Sequence, residues 1–342
     1  MDHFNHKLIA VGRAFRSVSQ NTLVDKLNNF NQPNLSKIEK GFIRFTEENC
    51  NLIAEKLELP KVFFLQDDLR LNLSSLDFKE KKSVSKKEYL KILTDIKIIL
   101  RSIDVLLSIL RLQNEKQLMN LMKKMSPIGA ARFLRNILRI PNGPIGNTDN
   151  SIEELNVVVL FYDTSSHFAG ISTFTDVGIP IIIINKNLSN LEKRETFWIE
   201  LGHLILHINS NVEPDKKLNE QAVLFADEML MPTNECQEEL SSLTFKKVKS
   251  LSEKWQVTRS FVINRAKSLN IINDSTYFYL RSEIIRRREP DKRYSEIILD
   301  ENISNIIEKI NLVKNEFNTS IEEFAYSTKL YYKDFERLLF IQ

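Results

Sequence analysis

The run of residues 194–207 carries the side chains whose types and spacing could do chemistry. A zinc-binding helix of the HExxH type has His, Glu and His at its first, second and fifth positions, because residues four apart on a helix can share one metal ion. Here those positions hold Ile199, Glu200 and His203. Glu200 stands where such a helix has the general base that takes a proton from metal-bound water. Isoleucine has no lone pair, and catalytic zinc normally has about three protein ligands, so we expect zinc affinity to be severely reduced.

A second pair of histidines has the same spacing one helical turn later. His203 and His207 could bind a metal ion between them, with Glu220 as a third ligand. In that arrangement Glu200 lies on the wrong side of the ligand pair, because Leu204 occupies the position beside the first His. Zinc at this shifted position is the alternative to our prediction that the chain has no cofactor. If the chain has no cofactor, as we predict, Glu200 and His203 only form hydrogen bonds within a vestigial cleft.

The composition of the 342 residues predicts a mostly helical α+β protein with two or three domains. The 48 basic and 45 acidic residues give a net charge of +3, which is too small to indicate nucleic-acid binding by charge alone. Cys50 and Cys236 form neither a disulfide framework nor a CxxC pair, which suits a reducing cytoplasm. The most apolar run, residues 96–112, is interrupted by charged side chains and therefore predicts an amphipathic helix. We expect a cytoplasmic protein with no membrane partner.

Four regions differ in composition and periodicity. Residues 1–70 contain two short helices joined by a polar turn, which is typical of a helix-turn-helix. Residues 71–126 combine a charged linker with a long amphipathic helix or helical pair, which could pack on its own domain or form the seam of a homodimer. Residues 127–240 contain three strand-like apolar runs directly before and alongside the motif helix. Residues 241–342 predict further helices with no chemistry of their own.

The N-terminal region carries a set of motif residues on the two sides of its polar turn: Ser19, Gln20, Leu23, Leu35, Ser36, Ile38, Glu39 and Gly41. They match the pattern Ser-Gln-x-x-Leu-Ala, a turn, and then Ile-Ser-x-Ile-Glu-x-Gly. In this the region resembles the Xre family of regulators, to which the lambda and Cro repressors belong. The resemblance covers residues 6–66 and implies that the second helix enters the major groove of operator DNA. Gln32, Asn34 and Lys37 would then contact bases, and Gln20 would contact a phosphate.

Two departures from this family weaken the expectation of DNA binding. Val24 stands where the family prefers a small Ala at the helix crossing, and the turn is one residue longer than usual. Residues 1–70 contain 10 basic and 9 acidic residues, so the attraction to phosphates would be modest. The alternative is a helical adaptor that keeps the fold and has lost DNA binding.

The motif helix and its surroundings resemble the ImmA/IrrE metallopeptidase family, which implies a zincin-like domain with a small sheet. The matching residues are Gly170, Ile171, Ser172, Pro180, Asn185, Arg194, Phe197, Glu200, Leu201, Gly202, His203, Leu206, His207, Ala222, Phe225, Ala226, Leu230, Met231 and Pro232. The departures fall on the zinc ligands. The family's first His is Ile199, and its third ligand, a Glu three residues before Ala222, is Asn219. This is the pattern expected when a fold is needed and hydrolysis is not.

The two resemblances together predict a DNA-binding transcriptional regulator with an inactive peptidase-like sensor domain. Members of these families commonly control phage, mobile-element or stress genes, which implies that setting and a regulatory protein partner or ligand for the sensor domain. Two alternatives remain open. The chain could be an active zinc endopeptidase that cleaves a repressor, or an antitoxin-like or scaffold protein that acts through protein binding alone.

Overall fold

The computed structural model describes residues 4–27, 30–67, 77–78, 85–109, 122, 124–140, 142–146, 155, 157–164, 168–175, 178–207, 216–287, 310–312, 315 and 318–339. They form a mostly helical α+β protein with one small sheet, which confirms the predicted fold class. No helix within these ranges combines the length and the apolar content that crossing a bilayer requires.

Four short helices and one 3-10 helix make up the N-terminal region. They are α1 (Lys7–Phe15), α2 (Gln20–Val24), α3 (Gln32–Glu39), α4 (Glu47–Lys56) and the 3-10 helix Lys61–Leu65. The side chains of Ser19 and Asn31 cap α2 and α3 by accepting hydrogen bonds from the backbone N–H of the third residue of each helix. The helices α2 and α3 pack against each other and bury Leu23, Leu35 and Ile38. The two helices predicted from the sequence pattern are therefore neighbours in the structure.

A four-stranded sheet lies in the middle of the chain. Its strands are β1 (Asp77–Phe78), β2 (Val158–Tyr162), β3 (Phe168–Phe174) and β4 (Pro180–Asn185). The order is β1-β3-β4-β2, with β2 parallel to β4 and the other neighbours antiparallel. The strands β2, β3 and β4 occur where the apolar runs predict them. The short β1 comes from the segment that the sequence assigns to a linker.

The described residues form ten further helices. They are α5 (Lys86–Ile109), α6 (Pro127–Ile137), α7 (Asn190–Leu206), α8 (Lys216–Leu230), α9 (Thr233–Cys236), α10 (Phe245–Trp255), α11 (Arg259–Ser268), α12 (Asp274–Arg287), α13 (Ile321–Ser327) and α14 (Tyr332–Leu339). The motif helix is α7, and it begins at a capping box formed by Ser189 and Glu192. It packs against β3, β4 and α8.

The sheet separates two hydrophobic cores, because alternate residues of a strand point to opposite faces. Leu160 and Ile183 face a core that also contains the N-terminal helices, α5 and the C-terminal helices. Val159 and Ile182 face the second core, which α7, α8, α10 and α11 complete. Between Ile92 and Leu107 most residues of the long helix α5 are buried within its own chain. It is thus a core element, and the homodimer that its apolar pattern suggested stays a prediction.

A polar junction joins the N-terminal helices, α5, the sheet and α14. The buried Asp95 of α5 accepts hydrogen bonds from Lys91 Nζ at 2.6 Å and from the Tyr162 hydroxyl at 2.8 Å. Burial, together with the charge of Asp95, raises the pKa of Tyr162, which keeps its hydroxyl protonated as a donor. Arg16, at the end of α1, forms a bidentate ion pair with Asp334 of α14 at 2.5 and 2.6 Å. The N-terminal helices, α5, the sheet and α14 are therefore connected by direct polar contacts as well as by the chain itself.

At Gly170 the strand β3 and the helix α7 approach each other closely. A β-carbon at this position would lie 2.7 Å from Cγ2 of Thr196 and 3.1 Å from the backbone oxygen of Ile183. The missing side chain lets α7 lie close enough for Glu200 to reach Ser172 on the same strand.

We expect Gly170→Ala to lower the free energy of unfolding by about 1–3 kcal/mol, because overpacking forces neighbouring groups to shift. Urea denaturation followed by circular dichroism measures this change. Thr196→Ser removes the nearer clashing atom, so the double variant should recover part of the loss. Gly146→Ala is the matched control, since an added β-carbon there meets nothing within 4 Å. Additive losses in the double variant would contradict the proposed contact.

Candidate functional site

The close packing of α7 against α8 brings the positions of the metal-site motif together. Gly202 faces α8, where an added β-carbon would lie 3.0 Å from Phe225 Cδ1 and 3.1 Å from the backbone oxygen of Ala222. Because the helices approach this closely, polar side chains near the start of α8 reach the histidines of α7.

Glu200 points from α7 towards the sheet. It is only 3% exposed, and the hydroxyl of Ser172 on β3 donates a hydrogen bond to its Oε2 at 2.7 Å. Burial of a carboxylate is tolerated when hydrogen-bond donors satisfy it. The predicted general base is thus held in place by the strand beside it, through a serine to which the sequence assigned no role.

The two histidines of α7 form a chain of polar contacts with two amides of α8. The Nδ1 atoms of His203 and His207 lie 3.1 Å apart. On their outer sides, His203 Nε2 lies 3.4 Å from Asn219 Oδ1, and His207 Nε2 lies 3.0 Å from Gln221 Oε1. Burial lowers the pKa of His203 to about 4, with the His207 ring as a second cause. Burial also lowers the pKa of His207. Both rings are therefore neutral at pH 7.

The remaining predicted ligand, Glu220, is placed elsewhere. Its side chain is 60% exposed and pairs with Lys216 at 3.7 Å on the surface of α8. A shift of one residue on a helix turns a side chain by about 100°, and it is the next residue, Gln221, that faces His207. The structure brings His203 and His207 together and leaves Glu220 apart from them.

The donor set does not fit a catalytic zinc site with three protein ligands. Ile199 offers no donor atom and packs against the second core. Asn219, at the family's third ligand position, is a neutral amide in direct contact with His203. Among the described residues, no three His, Cys, Asp or Glu side chains converge as a metal-binding group. The packing of α7 against β3, β4 and α8 is present, with a hydrogen-bond network at the ligand positions.

A second polar network lies in the N-terminal region. Glu39 of α3 forms a bidentate ion pair with Arg13 at 2.7 and 3.0 Å and accepts a hydrogen bond from Gln20 Nε2 at 2.6 Å. Gln20 Oε1 in turn accepts a hydrogen bond from Gln32 Nε2 at 2.7 Å. The network fixes the start of α2 against α3.

The outer face of α3 carries the other predicted contact residues. Asn34 and Lys37 are exposed, as are Lys40 and Arg44 just beyond the helix. Within the described ranges no ion pair involves these three cations, while the one acid of α3, Glu39, is neutralised by Arg13. The other acids of residues 30–60 lie on α4 and directly after it, so the nearly balanced charge of residues 1–70 conceals a basic edge.

The comparison with protein families supports one of the two resemblances. Residues 152–267 match the model of the IrrE N-terminal-like domain of the M78 peptidases. The match contains β2, β3, β4, α7 and α8, and it extends through α10 into α11. Residues 152–267 are therefore similar to an IrrE N-terminal-like domain of the M78 peptidases, and the motif helix α7 lies within this match. A search of curated proteins gave no match.

We expect His203 to destabilise the fold as the pH falls from about 6.5 towards 4. Its pKa is about 4 in the folded chain against an ordinary 6.5, so in this window the unfolded chain binds a proton that the folded chain excludes. Urea midpoints at pH 7 and pH 5 should therefore fall further for the wild type than for His203→Gln. Burial raises the pKa of Asp227 to about 6, which acts in the opposite direction in both chains and cancels from the comparison. Equal losses in the two chains would refute the assignment.

Proposed function

We propose that this chain is a DNA-binding transcriptional regulator whose IrrE N-terminal-like domain senses a signal and does not hydrolyse peptides. The observation that carries the proposal is the basic outer face of α3. There Asn34, Lys37 and Lys40 face outwards, while Gln20 and Gln32 are held by the network around Glu39. Amide and lysine side chains can contact base edges, and the second helix of a helix-turn-helix can lie in the major groove of DNA.

The lack of hydrolysis is inferred from the ligand positions of the motif. A water molecule is activated at neutral pH when a metal ion lowers its pKa, and the general base must lie beside that water. Glu200 is buried and bonded to Ser172, while the positions that would hold the ion beside it are an isoleucine and an asparagine. The domain thus retains the general base Glu200 but lacks the metal ligands that would hold a water molecule beside it.

The polar junction supplies a physical connection between the two functions. Tyr162 ends β2 of the IrrE-like domain and donates to Asp95, whose partner Lys91 stacks over the Phe15 ring of α1 at 4.9 Å. A change in the sheet that displaces Tyr162 would leave Asp95 buried with one donor fewer, which favours rearrangement of the junction. Such coupling suits control of phage, mobile-element or stress genes by a protein partner or ligand in the cytoplasm.

We expect Lys37→Ala and Asn34→Ala to weaken binding to DNA from the chain's own promoter region in different ways. Loss of Lys37 should weaken binding to all sequences and reduce the slope of log affinity against log salt by about 1, because one phosphate contact is lost. Loss of Asn34 should cost about 1–3 kcal/mol on the operator and relax the choice of base. Gel-shift titrations at several salt concentrations measure both effects.

The matched control is Lys56→Ala, which removes a cation paired with Glu55 on α4 and should leave the affinity unchanged. A wild-type chain that fails to retard this DNA at low salt would remove the regulator proposal. It would favour a scaffold that acts through protein binding alone.

Rebuilding the two missing ligands tests the proposal that the cleft lacks catalytic zinc. Ile199→His combined with Asn219→Glu should raise zinc affinity by more than about 100-fold, since even outer-shell partners of a metal ligand contribute 10–100-fold. The measurement is a zinc titration in a His207→Ala background, so that only His203 of the original pair contributes. Either single replacement should give a smaller gain. Peptide cleavage by the unaltered chain that disappears in Glu200→Gln would instead establish an active endopeptidase.

A further inference from the structure

The helix α12 presents large apolar side chains to solvent. Leu280 and Glu283 are buried on one face of this helix, so the opposite face is exposed. The adjacent aromatic residues Phe278 and Tyr279 are 67% and 58% exposed. Ile285, two helical turns after Phe278, is 72% exposed. A single exposed apolar residue is ordinary, but a cluster of large ones on one helix indicates an interaction surface.

Arginine side chains lie along both edges of this exposed face. Arg281, one turn after Phe278, is on one edge, and Arg286 is on the other. Arg286 and Arg287 both pair with the carboxylate of Glu283, at 2.7 and 2.9 Å, so this acid neutralises only one of the two charges. No ion pair joins Arg281 to another residue that the structure describes. The exposed face therefore carries excess positive charge.

The start of α10 extends this basic surface. The guanidinium carbon of Arg287 lies 4.5 Å from the centroid of the Phe245 ring, which places the first turn of α10 beside the last turn of α12. The next residue, Lys246, is exposed. Four cations and one carboxylate therefore share this surface, a net charge of +3. They are Lys246, Arg281, Arg286, Arg287 and Glu283.

The positive charge and the aromatic rings together select the kind of partner. In a symmetric pair of chains the same patch faces itself, so a second copy would bring the arginines of α12 against one another. An uncharged apolar partner would leave them without a counter-charge. A nucleic-acid strand has both complements, because its phosphates attract guanidinium groups and its bases have flat faces that stack on aromatic rings. In a duplex those faces are stacked on each other, so a single strand is the form that presents them.

We propose that the exposed face of α12, with the start of α10, binds single-stranded nucleic acid. Bases stack on Phe278 and Tyr279, and phosphates lie against Arg281 and Arg286. Binding of this kind tolerates any sequence, because every base has a π face. The inference does not rest on the regulator proposal, since duplex DNA from the promoter region tests α3 and a single strand tests α12.

Fluorescence polarisation of the full chain with a labelled oligothymidylate of about 20 nucleotides tests the stacking. We expect Phe278→Ala to weaken binding at least about fivefold, because one base loses its stacking partner. Phe278→Trp should retain binding, whereas Phe278→Leu keeps an apolar side chain without a flat ring and should not. Circular dichroism confirms that each variant is folded. Tyr326→Ala is the matched control, since it removes an exposed aromatic ring from α13 and should leave the affinity unchanged.

The salt dependence of the same titration tests the phosphate contacts. Arg281→Gln should reduce the slope of log affinity against log salt by about 0.7, the value for one phosphate contact on a single strand. Lys56→Gln is the control, because Lys56 pairs with Glu55 on α4. An oligouridylate of the same length compares RNA with DNA, and tighter binding of it would identify RNA as the preferred strand.

Four outcomes would overturn the proposal. The first is the absence of oligothymidylate binding at low salt up to about 100 μM chain. The second is equal binding by Phe278→Ala and the wild type. The third is binding by Phe278→Leu at the wild-type level, which would instead assign the face to an apolar protein partner. The fourth is single-strand binding that falls in Lys37→Ala and not in Phe278→Ala, which would assign the strand to α3.

Discussion

Burial of both faces of the central sheet is the constraint on which the rest of the structure depends. Every residue of β2 and β4 is buried, so neither face can be left to solvent without exposing a continuous apolar surface. The IrrE-like helices cover one face. The other face belongs to the core that also contains α5, the N-terminal helices and the C-terminal helices. Its cover therefore comes from outside residues 152–267: α5 contacts the sheet at the hydrogen bond between Tyr162 and Asp95, and α1 packs against α5.

The contacts of Arg194, Gly170 and Gly202 show that these residues position α7 in two different ways, by hydrogen bonding and by close packing. Arg194 is completely buried and donates to the backbone oxygen of Ile145 at 2.6 Å and to the side chain of Gln256 at 2.9 Å. It therefore ties α7 to a loop and to the end of α10. Gly170 and Gly202 permit the close approach of α7 to the sheet and to α8. These residues position a cleft, so their presence agrees with retention of the fold whether or not the cleft holds an ion.

The sequence could predict features whose causes lie within a few residues. The strands follow from apolar runs, the pair of helices α2 and α3 from the polar turn between them, and the motif helix from its spacing. The role of α5 could not be predicted in this way. Its apolar period indicates that one face is covered but not by what, and the partners of Asp95 at Tyr162 and Arg337 lie 67 and 242 residues away. The same limit applies at the site, where Gln221 has no signal of its own and Glu220 has the right chemistry on the wrong face of α8.

The ion pair between Arg16 and Asp334 joins residues 318 positions apart. Because a chain is synthesised from its N-terminus, α1 to α4 leave the ribosome long before α14 exists to cover them. Until then Arg16 lacks its carboxylate, and the first core remains open on the side that α14 later closes. Completion of this core is therefore a late event in biogenesis, because its last elements are synthesised after the IrrE-like region.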